Sequence, residues 1–317
     1  RANPHNMLIF QGISPQGSAK VGRVVTIGNF DGVHCGHQAL IQETCAIANR
    51  EGLTATAVTF APHPKAFFTP EKAPGKIQGL RGKAAALSEL GIQELWILRF
   101  RAALAEMPAQ RFIRDFLYQS LHAKHIVVGD DFRFGAKRQG DFAMLVDAGA
   151  ANNWQAHRVG AVSVDGERAS SSTLRDALTR GDLRRAESLM GRPYTLCGHV
   201  IHGKKLGRGL GFPTLNIPVD DQLVVSGVFA VRVRGLGSSP IAGVASLGRR
   251  PTTESQGRLL LEVHLFDWSG EAYGRVVEVI FHEKLRDEIY YTSVDAMTQQ
   301  IERDAHAARH YLNDHVH

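Results

Sequence analysis

The chain has 317 residues, enough for roughly 2 domains at about 150 residues each, which sets aside a single small binding module. Hydrophobic residues make up 44% and charged residues 21%, with 32 glycines and 12 prolines, a balance that excludes disorder, collagen-like repeats and a coiled coil. Lys and Arg number 37 against 31 Asp and Glu, a surplus of +6 with no dense basic run. Because a nucleic-acid footprint concentrates its charge on one element, the surplus suits a phosphate-bearing small substrate, and no nucleic-acid partner is expected.

Cys35, Cys45 and Cys197 form neither a disulfide framework nor a CxxC metal site, so a reducing compartment is expected. No apolar stretch reaches transmembrane length and the first residues lack the regions of a secretory signal. A cytoplasmic protein with no membrane partner is the expectation, and self-association is left open.

In chain order, RVVTIGNF at 23–30 reads as a strand, HQALIQETCAIANR as a helix and LTATAVTF at 53–60 as the next strand. GKAAALSELG gives a helix before the strand ELWILRF, and AQRFIRDFLYQSL gives another before HIVVGDDF at 125–132. Such β-α repetition predicts a mostly parallel sheet flanked by helices, with ligands beyond the carboxyl ends of its strands. A helix follows Ser170–Ser172, with Gly181 as an interruption and Gly191 and Pro193 as a stop. The rhythm changes between 185 and 195, giving domains 1–186 and 187–317. Beyond it, 228–233, 241–248, 259–267 and 274–281 read as short strands of an antiparallel barrel or meander. Met297, Ile301, Ala305, Ala308 and Leu312 then form the stripe of a C-terminal amphipathic packing helix.

Chemistry concentrates first in GNFDGVHCGH, residues 28–37, which joins the first strand to the first helix. Gly28, Asn29, Phe30, Asp31 and Gly32 lie where backbone approaches a phosphate, at a helix start that favours an anion. His34 and His37 share a face there and can serve one polyphosphate together. Cys35 between them has no further ligand for zinc. The segment is neither GxGxxG nor GxxxxGK[ST]. It resembles the HxGH turn of the nucleotidylyltransferases, and its longer form resembles the bacterial bifunctional riboflavin kinase/FMN adenylyltransferase (FAD synthetase) family.

That resemblance extends to TFAPHP at 59–64, VVGDDFRFG at 127–135 and the SSTxxR-like Ser170–Arg175, where Ser172 replaces the usual threonine. It implies binding roles for His63, Asp130, Phe132, Ser170, Ser171 and Ser172, and a catalytic charge at Arg175. In the second part, GHVIHGKKLGRGLGFPTLN at 198–216 is a glycine-rich basic loop followed by GFPTLN. It resembles the flavokinase signature, which implies nucleotide contacts from Gly203, Lys204, Gly207, Arg208, Gly211 and Pro213, magnesium at Thr214 and Asn216, and a catalytic base at Glu262. GVASLGRRPTTES, WSGEAYGR and KLRDE are similar to the same domain, although Ser246 stands where asparagine is common.

The resemblance therefore implies an α/β chain: a Rossmann-like nucleotidylyltransferase domain, then an antiparallel β-barrel riboflavin kinase domain with a C-terminal helix. It implies phosphorylation of riboflavin to FMN, then adenylylation of FMN to FAD, with ATP as co-substrate and Mg²⁺. Three alternatives are weighed beside it. Another HxGH-type cofactor nucleotidylyltransferase leaves GFPTLN with Glu262 unexplained. A tRNA-ligating HxGH enzyme would need a tRNA-binding apparatus, for which neither the length nor a basic tract supplies a candidate, and a non-catalytic flavin-binding regulator would leave two phosphate sites unused.

Overall fold

The computed structural model describes residues 7–13, 21–202, 212–249 and 259–315. The chain forms two compact units: Arg1–Pro74 with Lys83–Ser170, and Gly75–Gly82 with Ser171–His317.

The first unit carries β1 (Leu8–Gln11), β2 (Arg23–Ile27), α1 (Cys35–Glu51), β3 (Thr54–Ala61), α2 (Pro64–Phe68), and α3 (Leu80–Glu89), whose first turn groups with the second unit. It continues through β4 (Glu94–Arg99), α4 (Ala102–Ala105), α5 (Ala109–Arg111), β5 (Ala123–Gly129), α6 (Phe142–Asn152), β6 (Gln155–Val159) and the short pair β7 (Ser163–Val164) and β8 (Glu167–Arg168). Among the described residues, its main sheet has six parallel strands in the order β1-β4-β3-β2-β5-β6. All five residues of β2 are buried, as expected for a central parallel strand covered on both faces. Val25 and Ile27 pack into one core with Trp96, Phe112 and Phe116, while Val24 packs into the other with Ile41, Ile47 and Leu87. Period-2 alternation thus divides one strand between two cores.

The strands β3 and β4 lie to one side of β2, and β5 and β6 to the other. The sheet therefore reverses its order beside β2, and the crevice at the carboxyl end of such a strand is where ligands bind in open α/β sheets. GNFDGVHCGH begins at that end.

The second unit carries α7 (Ser171–Arg180), α8 (Leu183–Met190), β9 (Thr195–His199), β10 (Thr214–Pro218), β11 (Gly227–Arg234), β12 (Ile241–Arg249), β13 (Leu259–Leu265), β14 (Val276–Arg286) and α9 (Val294–His315). Its antiparallel order among the described residues is β10-β13-β12-β11-β14-β9. The Ile201 amide donates to the Asn216 carbonyl at 2.8 Å, so the chain beyond β9 returns against β10 and nearly closes the sheet into a barrel. Leu259, Leu261, Val263 and Leu265 point inward, alternating with half-buried Leu260, Glu262 and His264. On the opposite face of the sheet, Ala308 and Leu312 of α9 pack against Val228, Ala230 and Val244.

Several boundaries differ from the sequence expectations for identifiable reasons. The strand expected through Phe30 stops at Ile27, because Phe30 has φ 48° and cannot continue extended pairing. The helix expected over 109–121 is π-wound from Phe112 to Ser120. α9 also carries an inward acid that the apolar stripe conceals: Asp304, 6% exposed, accepts from Arg286 Nε at 2.9 Å and Nη2 at 2.6 Å.

Candidate active sites

The histidine turn is a strained connection. Phe30 (φ 48°), Gly32 (φ 85°) and Val33 (φ 43°) all adopt left-handed backbone, and two of them carry side chains that disfavour it. Outside bonds hold it. The Gly28 amide donates to the Val58 carbonyl at 3.0 Å, and Gln38 Nε2 to the Val33 carbonyl at 3.0 Å. The Asn29 carbonyl accepts from Thr59 Oγ1 at 3.1 Å and from Lys83 Nζ at 2.6 Å. The turn delivers His34 as the N-cap of the 17-residue α1, whose first turn carries no acidic residue to compete with an anion.

His34 Nδ1 accepts from the His37 amide at 3.4 Å. A neutral imidazole accepting at Nδ1 carries its proton on Nε2, which makes Nε2 the donor. The two rings stack with centroids 3.7 Å apart, and Phe30 meets the His37 ring edgewise at 5.2 Å. Gly36 is tight: an added Cβ would lie 3.0 Å from the Ala169 carbonyl and 3.1 Å from the His34 ring. Ala169 therefore brings Ser170 beside the histidine turn. Burial pushes the Cys35 thiol up, which disfavours the thiolate.

The other expected residues of this unit lie near the carboxyl edge of the sheet. His63 caps α2, accepting from the Lys65 amide at 3.1 Å. Asp130 pairs with Arg168 at 3.0 Å, and Phe132 stacks on Phe134 at 5.5 Å. An aromatic group absent from the sequence reading appears here as well. Phe60, Phe67 and Phe68 surround Phe100 at centroid distances of 5.7–5.9 Å, with Phe68 61% exposed. Its members come from β3, α2 and the residue after β4, so no local motif marks them.

Ser171, Ser172 and Arg175 belong to α7 of the second unit. Arg175 Nε donates to the Gly75 carbonyl at 2.7 Å and Nη1 to the Ser171 carbonyl at 3.1 Å, which fixes the guanidinium at the start of that helix.

In the barrel, Asn216 on β10 stands directly opposite Glu262 on β13, and Glu262 opposite Ser246 on β12. Cross-strand partners share a face, and Thr214, two residues before Asn216, shares it too. Asn216 is 6% exposed and donates from Nδ2 to the Thr214 carbonyl at 3.3 Å. The structure thus assembles Thr214, Asn216 and Glu262 from segments more than forty residues apart. Ser246 Oγ donates to Glu288 at 3.0 Å, drawing the chain after β14 toward the same face. Pro213 precedes Thr214, and its carbonyl meets His264 Nδ1 at 3.0 Å. Gly203, Lys204, Gly207, Arg208 and Gly211 lie outside the described residues.

Oxygen donors from a hydroxyl, a carboxamide and a carboxylate on one face suit a hard cation such as Mg²⁺, which keeps waters and shares substrate phosphates. Among the described residues no group of three His, Cys, Asp or Glu could hold a metal ion by itself. No helix among them is long and apolar enough to cross a membrane.

Comparisons with known proteins match the chain in two consecutive parts. Residues 17–173 match the FAD synthetase family and residues 190–312 match the riboflavin kinase family. A bifunctional riboflavin kinase/FMN adenylyltransferase of Escherichia coli (strain K12) is 42% identical over 292 residues, covering 92% of this chain and 93% of that protein. Its counterpart in Haemophilus influenzae is 40% identical over 308 residues, covering 97% of this chain and all of that one (100%). A crystal structure described as a macrolide-efflux protein from Streptococcus pneumoniae shares the fold, with a TM-score of 0.78 and 27% identity over 96% of this chain and 99% of that chain.

Proposed function

The chain belongs to the bacterial bifunctional riboflavin kinase/FMN adenylyltransferase family, and from that premise we propose how its two units divide the chemistry. The protein phosphorylates riboflavin with ATP to give FMN and ADP, then transfers AMP from ATP to FMN to give FAD and pyrophosphate. In our reading residues 1–186 carry the adenylyl transfer and residues 187–317 the kinase step.

In the kinase step, Glu262 accepts the proton of the riboflavin 5′-hydroxyl as that oxygen attacks the γ-phosphorus and ADP departs. Asn216, buried beside Glu262, and Thr214 on the same face hold the phosphate end of ATP, and they are the residues that would hold Mg²⁺. Held there, Mg²⁺ would supply charge neutralisation to the transferring phosphate. Gly203, Lys204, Gly207, Arg208, Gly211 and Pro213 line the nucleotide in this reading.

In the adenylyl transfer the nucleophile is a phosphate oxygen of FMN, which carries no proton to remove at neutral pH. Catalysis there is positioning and electrostatics. His34 and His37 donate to the polyphosphate at the α1 N-terminus, where fixed amides already favour negative charge. Arg175 adds a permanent charge, and Ser170, Ser171 and Ser172 add hydroxyls. Exposed Phe67 and Phe68, packed on half-buried Phe100, offer the isoalloxazine ring a stacking surface, with Phe132, His63 and Asp130 along the same sheet edge. A cytoplasmic enzyme drawing on ATP for both steps fits the chain's cysteine usage.

The observation that carries this reading is the rung that sets Asn216 against Glu262, in a unit separate from the stacked His34 and His37. Glu262→Gln should suppress riboflavin phosphorylation by about 10²-fold or more while adenylylation of supplied FMN continues. An unchanged kinase rate would remove Glu262 as the base.

A further inference from the structure

We infer that Lys83 is a positioning residue for adenylyl transfer, acting through the Asn29 carbonyl on the histidine turn; this rests on the assignment of that turn to the adenylyl-transfer site. Lys83 belongs to no phosphate-binding motif and lies on α3, more than forty residues beyond His37. Its Nζ nevertheless donates to the Asn29 carbonyl at 2.6 Å and lies 3.4 Å from Thr59 Oγ1. Thr59 Oγ1 itself donates to the same carbonyl at 3.1 Å. One backbone oxygen thus receives a hydroxyl from β3 and an ammonium from α3, in a half-buried setting where a charge-assisted bond is strong.

The position of that oxygen gives the contact its consequence. Asn29 is the last residue before the left-handed run of Phe30, Gly32 and Val33. Left-handed residues with side chains are strained and persist only where surrounding structure over-determines them. The Lys83 and Thr59 bonds fix the entry to the run, and Gln38 fixes its exit at the Val33 carbonyl. From Asn29 the path to the chemistry is one residue long. Phe30 is fully buried, its ring meets His37 at 5.2 Å, and His37 stacks on His34 at 3.7 Å. Releasing Asn29 lets the turn relax toward right-handed backbone and withdraws the support of the His37 ring. A displacement of about 1 Å at positioned catalytic groups can cost on the order of 10²-fold in rate.

The test compares Lys83→Met and Lys83→Arg in the full chain, with FMN and ATP supplied and pyrophosphate release measured. Lys83→Met should lower kcat for FAD formation by about 30-fold or more, leave the KM for FMN within about twofold, and leave riboflavin phosphorylation unchanged. Lys83→Arg, which keeps the charge and donors, should recover to within about fivefold of the parent. Imidazole NMR signals of His34 and His37 should shift in Lys83→Met while those of His125 and His157 stay in place, a readout that does not depend on activity. A kcat within twofold of the parent, unmoved His37 signals, or an equal loss of both activities would overturn the inference. Absence of FAD formation in the parent protein would instead refute the assignment of the first unit, and the NMR comparison would still judge Lys83.

Discussion

The ion pair beneath the parallel sheet offers a quantitative test of what holds the first unit together. Arg23 is fully buried, and its Nε and Nη2 donate to Glu94 at 2.6 and 3.2 Å. Its Nη1 also reaches the Val21 and Leu121 carbonyls at 3.1 Å, while Glu94 accepts from Trp96 Nε1 at 3.2 Å. Arg23→Met removes all of the guanidinium bonds and leaves a carboxylate, 7% exposed at its side chain, held chiefly by a neutral indole. Breaking a buried pair in this way costs about 3–5 kcal/mol, because the remaining charge stays desolvated. With an m-value of about 2 kcal/mol/M in urea, the unfolding midpoint of this unit should fall by roughly 1.5–2.5 M, read from tryptophan fluorescence. The double variant Arg23→Met/Glu94→Leu, which also removes the stranded charge, should be more stable than Arg23→Met by about 1 kcal/mol or more. A single-variant shift below about 0.5 M, or a double variant less stable than Arg23→Met, would refute the reasoning.

Other consequences are as concrete. Gly36→Ala places a methyl against the Ala169 carbonyl and the His34 ring; FAD formation should fall by about tenfold or more with the kinase rate unchanged, and a parent-like rate would show that the pocket yields. Asp304→Ala strands the Arg286 guanidinium that ties α9 to β14, and should destabilise the barrel by about 2–3 kcal/mol in urea denaturation; a change below about 0.5 kcal/mol would count against the clip. Burial, followed by the charges of Arg232 and Arg234, holds His282 below its ordinary 6.5. The fold thus favours the neutral ring, so its stabilising contribution is complete above about pH 6.5 and is lost as pH falls through the lowered folded value. His282→Gln should flatten the acid-side decline of the thermal midpoint relative to the parent, and an unaltered decline would contradict the sign.

Much of the fold was legible because periodicity reports burial. β2 and β3 are short runs rich in Val, Ile, Ala and Thr, β13 alternates from Leu261 to Leu265, and α9 repeats its small and apolar residues at helical spacing. β6, the sheet-edge strand QAHRV, escaped because three of its five residues are polar, and β9, TLCGH, because its apolar residues are too few to set a period. The candidate sites were legible where their residues are consecutive, as at His34 and His37. They were not where tertiary structure does the gathering. The facing of Asn216 and Glu262 depends on a strand register that a period of two leaves undetermined. The Phe100 group joins three elements, and Lys83 is a lone lysine in an ordinary helical sequence.

The most direct measurement of the division of labour mixes two disabled chains. His37→Ala and Glu262→Gln, each given riboflavin, ATP and Mg²⁺, are followed by chromatographic separation of riboflavin, FMN and FAD over time. The His37→Ala protein should stop at FMN and the Glu262→Gln protein should leave riboflavin unconverted, whereas the mixture should make FAD after a lag in which FMN appears. FAD from either protein alone at the parental rate, or no FAD from the mixture of folded variants, would contradict the assignment of the two reactions to these two residue sets.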